Sequence, residues 1–316
     1  MDRPQTSHGN DETPRPWFDL QVNGGLGLDF NADDWDFDAA DRVAEEWLEM
    51  GCRGLLATVI TDSETAMQRR IRHVADWIEH SRLARQCIAG IHVEGPFLNA
   101  DDGYVGAHPP RWTQDANPNT ITRLVDAGRG HVKLWTLSPE RDADAAMTRF
   151  LVDQNVVVGM GHCRGSLDDI QRSLDAGLSV FTHLGNGCPH RHDRHDHLIN
   201  RVLSVGDRIK ITFIADGHHI PFFALQNYVR CLPESQVIIV SDAMQAAGLS
   251  AGTYHLGDQV VYVDEHQAAW AEDRSHYAGS ATLLPAMADK LLRAKIGTEE
   301  QIQMWIHDNP MQLIQS

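Results

Sequence analysis

A chain of 316 residues, 42% of them hydrophobic, can bury one large core or two ordinary ones, because α/β barrels often reach ~250 residues as a single unit. A formal net charge of −17 argues against nucleic-acid binding, so any anionic substrate must be met by a local basic cluster. The longest apolar runs are strand-sized, and the five cysteines (Cys52, Cys87, Cys163, Cys188 and Cys231) form no C-x-x-C pair, which argues against a membrane span, a disulfide framework and a zinc ribbon.

Residues 1–16 are polar and proline-bearing, with no apolar core for a signal peptide, and are expected to be a disordered lead-in to a soluble, cytoplasmic protein. Residues 17–316 are expected to form one domain. Apolar, β-branched runs at 17–22, 53–59, 87–93, 131–137, 155–160, 178–182, 209–214 and 236–241 read as eight strands. Amphipathic stretches lie between them, among them 38–50, 63–80, 141–153 and 166–176. The last opens with Ser166 three residues before Asp169, which resembles a capping box. This alternation predicts a (β/α)8 barrel of the TIM type. An open, doubly wound sheet is the alternative, but the glycines of "VNGGLGLDF" after the first strand are spaced wrongly for a dinucleotide fingerprint. Residues 252–264 alternate like a β-hairpin, predicting an insert after strand eight.

Active sites of such barrels are built from the C-terminal ends of the strands. In order, those ends carry Gln21 and Asn23, Glu94, His162, His183, then Asp216, His218 and His219, and finally Asp242. Taken singly, each has a blander reading: a capped histidine, a carboxylate closing a loop, a helix N-cap. Together, one carboxylate and two imidazoles (Glu94, His162, His183) make a three-ligand set for one divalent metal ion, zinc foremost, with iron(II) and cobalt(II) also suited. Asp242 is then placed to handle the protons of a water nucleophile. Cys163, next to His162, must point to the opposite face and reads as packing. The run "HRHDRHDH" at 190–197 reads either as a solvated loop of mixed charge or as a clamp for an anion.

In this order, "FDLQVNG", "GIHVEGPFLN…GAH", "GHCRGS…THLGNGCP", "IADGHH", "VSDAMQAAG" and "AGSATLL" resemble the N-acetylglucosamine-6-phosphate deacetylases of the amidohydrolase superfamily. The resemblance runs from about residue 17 to 313 and implies hydrolysis of the N-acetyl group of an amino sugar, giving acetate and a free amine. It implies Glu94, His162 and His183 as metal ligands and Asp242 as general base and acid. His108 would polarise the acetyl carbonyl, and Asn186, Gly187, Arg194 and His219 would bind substrate. Gln21 and Asn23, also placed at the substrate, stand where many relatives carry a His-x-His pair for a second metal, which implies the single-metal subset. The expected partners are a small amino-sugar substrate and a second copy in a homodimer, with neither nucleic acid nor membrane. Three departures stand out: most of the family's β-sandwich is missing, Asp101 and Asp102 stand where lysines are common, and the stretch after Asn186 lacks the usual Arg-Glu-Pro-Gly turn. An amidohydrolase for another N-acyl or cyclic amide, and a non-catalytic metal-binding relative, are the competing readings.

Overall fold

Eight parallel strands pair in the order in which they occur along the chain. They are β1 (Trp17–Val22), β2 (Cys52–Ile60), β3 (Ile88–Glu94), β4 (Val132–Leu137), β5 (Val157–Met160), β6 (Val180–Phe181), β7 (Lys210–Ile214) and β8 (Val237–Val240). Each is followed by a helix: α1 (Phe37–Glu49), α2 (Glu64–His80), α3 (Pro118–Ala127), α4 (Ala146–Asp153), α5 (Leu167–Asp175), α6 (Leu198–Leu203), α7 (Phe222–Arg230) and α8 (Leu284–Arg293). This computed structural model describes residues 14–33 and 35–315, so most of the expected lead-in lies outside the described residues. The architecture is the expected (β/α)8 barrel.

Local chemistry explains the elements. The strands are apolar on both faces because helices cover the outside and side-chain layers fill the inside, as β1, buried throughout, illustrates. On α1, Ala40, Ala44 and Trp47 recur at helical spacing and are buried, with Asp36 capping the first turn. The Ser166–Asp169 capping box forms and starts α5. The helix expected from 141 begins instead at Ala146. Ala145 takes a left-handed φ of 51°, and the Asp142 carboxylate accepts from the backbone N–H groups of Met147 and Thr148, so Asp142 becomes the cap rather than part of the helix.

The barrel closes differently at its seam. Between β1 and β8 the backbone ladder is reduced to an isolated bridge, Val22 to Ala243, with Asn23 N–H donating to the Ala243 carbonyl at 2.7 Å. Below it, the buried Asp19 carboxylate accepts from the N–H groups of Gln21 (3.1 Å) and Ser241 (3.2 Å). A side chain thus carries strand-to-strand bonding where the ladder fails.

The insert is larger than the expected hairpin. Strands β9 (Gly252–Leu256), β10 (Gln259–Val263) and β11 (Ala269–Ala271) form a three-stranded antiparallel sheet. Three residues are too few to show alternation, which is why β11 is invisible in the pattern. The sheet covers a second apolar cluster that includes Ile60, Met244, Leu256 and Val261. It also leans on the barrel mouth, where Gln259 donates to the Ala107 carbonyl at 2.5 Å.

Candidate active site

One backbone device recurs at the mouth. His162, His183 and Asp242 each stand two residues beyond a strand, and each has a left-handed backbone, with φ of 48°, 37° and 48°. For a residue with a Cβ this conformation costs on the order of 1–2 kcal/mol and persists only where neighbours over-determine it. They do so here. The His162 carbonyl accepts from Asn99 N–H and the Ser138 hydroxyl, His183 N–H donates to Thr212 Oγ1 at 2.7 Å, and the Asp242 carbonyl accepts from Ser280 N–H at 2.8 Å. All three residues thus turn at the strand ends that form the barrel mouth.

There the side chains converge. Glu94 Oε1 lies 3.0 Å from His183 Nε2 and 3.4 Å from His162 Nε2, and the two imidazole nitrogens are 3.2 Å apart. All three residues are buried, and among the described residues this is the group whose donor atoms fit a metal ion. Two ligands on one tetrahedral zinc, at bonds of 2.0–2.1 Å, stand about 3.3 Å apart, so the spacing fits the ion. His162 Nδ1 donates to the Tyr104 carbonyl at 2.8 Å, which fixes the tautomer and leaves Nε2 free to ligate. His183 Nδ1 is buried without a hydrogen-bond partner among the described residues. Burial alone would raise the Glu94 carboxyl, but its close contacts with the His162 and His183 imidazoles outweigh it and hold it well below the usual carboxylate range. His108 Nε2 stands beside the set, 3.2 Å from His162 Nε2 and 3.8 Å from Glu94 Oε2, and burial pushes its pKa down to about 3, so the ring is neutral.

Asp242 faces this cluster. Burial first, and then the negative charge of Glu94, push its pKa up to about 6. Asn23 donates to Asp242 Oδ1 at 2.8 Å, while the Gln21 amide donates to both oxygens of Glu94, at 3.2 and 3.1 Å. These two amides, expected at the substrate, hydrogen-bond the two carboxylates. His219 is pinned by Asp216, whose Oδ2 is 2.7 Å from its Nδ1. Burial would raise the Asp216 carboxyl, but the His219 imidazole holds it well below the ordinary range.

No family model matches the chain. It is 30% identical over 247 residues to the N-acetylglucosamine-6-phosphate deacetylase of Bacillus subtilis, covering 78% of this chain and 61% of that protein. It is 27% identical over 245 residues to the N-acetylgalactosamine-6-phosphate deacetylase of Escherichia coli O157:H7, covering 77% and 63%. The structure of N-acetyl-D-glucosamine-6-phosphate deacetylase from Mycobacterium smegmatis, in complex with N-acetyl-D-glucosamine-6-phosphate, superposes with a TM-score of 0.85 at 26% identity, covering 96% of this chain and 77% of that one. Over more than three quarters of its own length in sequence, and nearly all of it in fold, the chain is similar to N-acetylglucosamine-6-phosphate deacetylases. It spans about three-fifths of the length of the two curated relatives named.

Within this barrel, the remaining expected residues are less concentrated. Asn186 and Gly187 line the β6 end of the mouth, where a Cβ on Gly187 would fall 2.8 Å from His162 Nδ1, so only glycine lets the loop lie on that ring. Among the described residues, no hydrogen bond or ion pair joins Arg194 to the cluster. It is exposed, as is Arg191, and neither forms an ion pair among the described residues. A cavity of about 390 Å3 lies against His108, between residues 106–111, the end of β2 and the β9–β10 turn. Four contributions escaped the sequence reading: the Tyr104 carbonyl, Gly106 beside the His162 ring, Asp216 as partner of His219, and Asp19 beneath Gln21. Asp19 had a signal, the only charged residue in its strand; a backbone carbonyl has none.

Proposed function

We propose that this chain hydrolyses the N-acetyl group of an N-acetylated hexosamine 6-phosphate, N-acetylglucosamine 6-phosphate foremost, releasing acetate and the free amine, with one divalent metal ion held by Glu94, His162 and His183. The observation that carries the reading is the buried convergence of those three donors with Asp242 turned toward them, in a chain similar to N-acetylglucosamine-6-phosphate deacetylases. Zinc is the ion we favour; iron(II) and cobalt(II) suit the same donors. A bound ion of this kind supplies Lewis acidity, polarising the acyl oxygen and making a water easier to deprotonate.

The chain's own residues do the rest. Neutral His108 directs Nε2–H at the acyl oxygen, where negative charge develops. Asp242, ionised near neutrality yet basic for a carboxylate, takes a proton from the attacking water and returns it to the amine nitrogen, which leaves poorly unless protonated. Asn23 holds the Asp242 carboxylate in place, and Gln21 does the same for Glu94. His219, fixed by Asp216, together with Asn186 and Gly187, contacts the sugar. Arg194, exposed and unpaired, meets the phosphate dianion, for which a guanidinium is well shaped. We propose the cytoplasm as the compartment, where a charged sugar phosphate is retained because it does not cross a bilayer unaided. Among the described residues no helix is long and apolar enough to cross a membrane. In the homodimer we propose, the partner's loop completes the phosphate pocket.

Acetate release from N-acetylglucosamine 6-phosphate, its galactosamine epimer and unphosphorylated N-acetylglucosamine tests this directly. A strong preference for the first is expected. Metal-loaded protein that turns over none of the three would overturn the substrate class.

A further inference from the structure

The interior of the barrel carries a polar layer that the proposed reaction leaves unused. Such interiors are filled mainly by branched apolar side chains. Here His92 on β3, Thr58 on β2, Thr136 on β4 and Thr182, directly after β6, are all buried. A buried imidazole or hydroxyl is costly unless it is hydrogen-bonded, and these four bond one another. His92 Nδ1 lies 3.3 Å from Thr58 Oγ1, and His92 Nε2 lies 2.8 Å from Thr136 Oγ1. Thr136 Oγ1 in turn lies 2.7 Å from Thr182 Oγ1, and the Val22 N–H of β1 donates to Thr58 Oγ1 at 3.0 Å. One hydrogen-bonded chain therefore crosses the barrel from β1 to the end of β6. It skips β5, where glycines leave room for it. A Cβ on Gly159 would fall 3.3 Å from Thr182 Oγ1 and 3.4 Å from Thr136 Oγ1, and one on Gly161 would fall 3.0 Å from both threonine side chains.

Every link of this chain is a near neighbour of the candidate centre. His92 and Glu94 stand two apart on β3 and so share a face, which puts the ring one step below the carboxylate. Thr182 directly precedes His183, and Val22 lies between Gln21 and Asn23. We propose that His92 is a positioning residue for the metal centre. Through Thr136 and Thr182 its ring sets the spacing between the strand of Glu94 and the strand that leads to His183. Through Thr58 it ties both to β1, which carries the amide that holds Glu94. Donors that share one ion must keep their distances to about 0.2 Å. A fully satisfied polar layer fixes such spacing, whereas apolar side chains can slide past one another. This role rests on the metal reading of the Glu94 cluster and is independent of the substrate.

Three readouts on metal-stripped protein test it. Cobalt(II) binding against a competing chelator gives the affinity of the centre, the visible spectrum of the bound ion reports its ligand geometry, and thermal melting without metal reports the fold alone. His92→Leu fills the space without hydrogen bonds. It is expected to bind cobalt about tenfold more weakly, with an altered spectrum, the scale of effect seen when a group that orients a ligand is removed. His92→Gln, whose amide can still donate to Thr136, should recover much of that affinity. Thr182→Val keeps the shape, removes the hydroxyl nearest His183, and should also weaken binding. A His92→Leu protein that melts lower yet binds cobalt with wild-type affinity and spectrum would overturn the proposal and leave the layer as core packing. If His92→Leu does not fold, Thr182→Val decides, and unchanged affinity there overturns it. A wild-type chain that binds no cobalt would overturn the metal reading as well.

Discussion

The centre of the barrel mouth and the loop that overhangs it are built on opposite principles. At the centre, the candidate ligands, base and sugar contact are buried or half-buried, and each is held by a neighbour: Glu94 by Gln21, His162 by the Tyr104 carbonyl, Asp242 by Asn23, His219 by Asp216. Over residues 190–196 the chain is exposed, and its two nearest arginines are unpaired. Chemistry on an amide needs fixed donors in a low dielectric, where electrostatic stabilisation requires no reorganisation. Capturing a phosphate dianion needs charges that remain hydrated until the ligand arrives. The contrast predicts that substitutions at the centre affect kcat or metal affinity, whereas substitutions in the loop affect KM.

The largest effect is expected at Asp242. Asp242→Asn should lower kcat by about 10²–10⁴-fold while the protein keeps its metal. Steady-state acetate release, together with metal analysis, checks both halves; an active, metal-loaded variant would remove Asp242 from the role of base. Next, Gln21→Ala should weaken metal binding by roughly 10–100-fold, the usual effect of removing a group that orients a ligand. Competition with a chelator measures this, and an unchanged affinity would show that Glu94 is oriented without the amide. Arg194→Ala should raise KM for the phosphorylated sugar about tenfold at unchanged kcat, the loss of one charge-assisted contact. An equal fall in kcat would break the division between centre and loop.

The smallest effect concerns the seam. Burial raises the Asp19 pKa from 3.8 to about 7, so between those values the folded chain keeps a proton that the unfolded chain has lost. Its contribution to stability therefore declines as pH rises from about 4 to about 7. Asp19→Asn should flatten that slope in thermal melts across this window. An identical pH dependence in the variant would mean that Asp19 is ionised throughout, held by the N–H groups of Gln21 and Ser241.

Much of this was legible in the residues. Strand identity followed from β-branched runs bounded by breakers, and the mouth followed because position two beyond a strand is fixed by counting. What could not be read was whatever depends on distant chain segments meeting. The Asp19 seam joins residues 222 apart, and Gln21 reaches Glu94 across 73 positions. A polar side chain at a strand end does not announce its partners: the hydrogen bonds of Gln21 to Glu94 and of Asn23 to Asp242 could not be read from residue type. Loop 190–197 was ambiguous for another reason: it has no periodicity, so its histidines carry composition without direction.

The most direct test of a metal-dependent deacetylase at Glu94, His162 and His183 is to strip the protein of metal and follow acetate release from N-acetylglucosamine 6-phosphate as zinc is added back. Turnover should vanish in the stripped protein and return as the Glu94 site fills. Full turnover without metal, or none in the reloaded enzyme, would contradict the account.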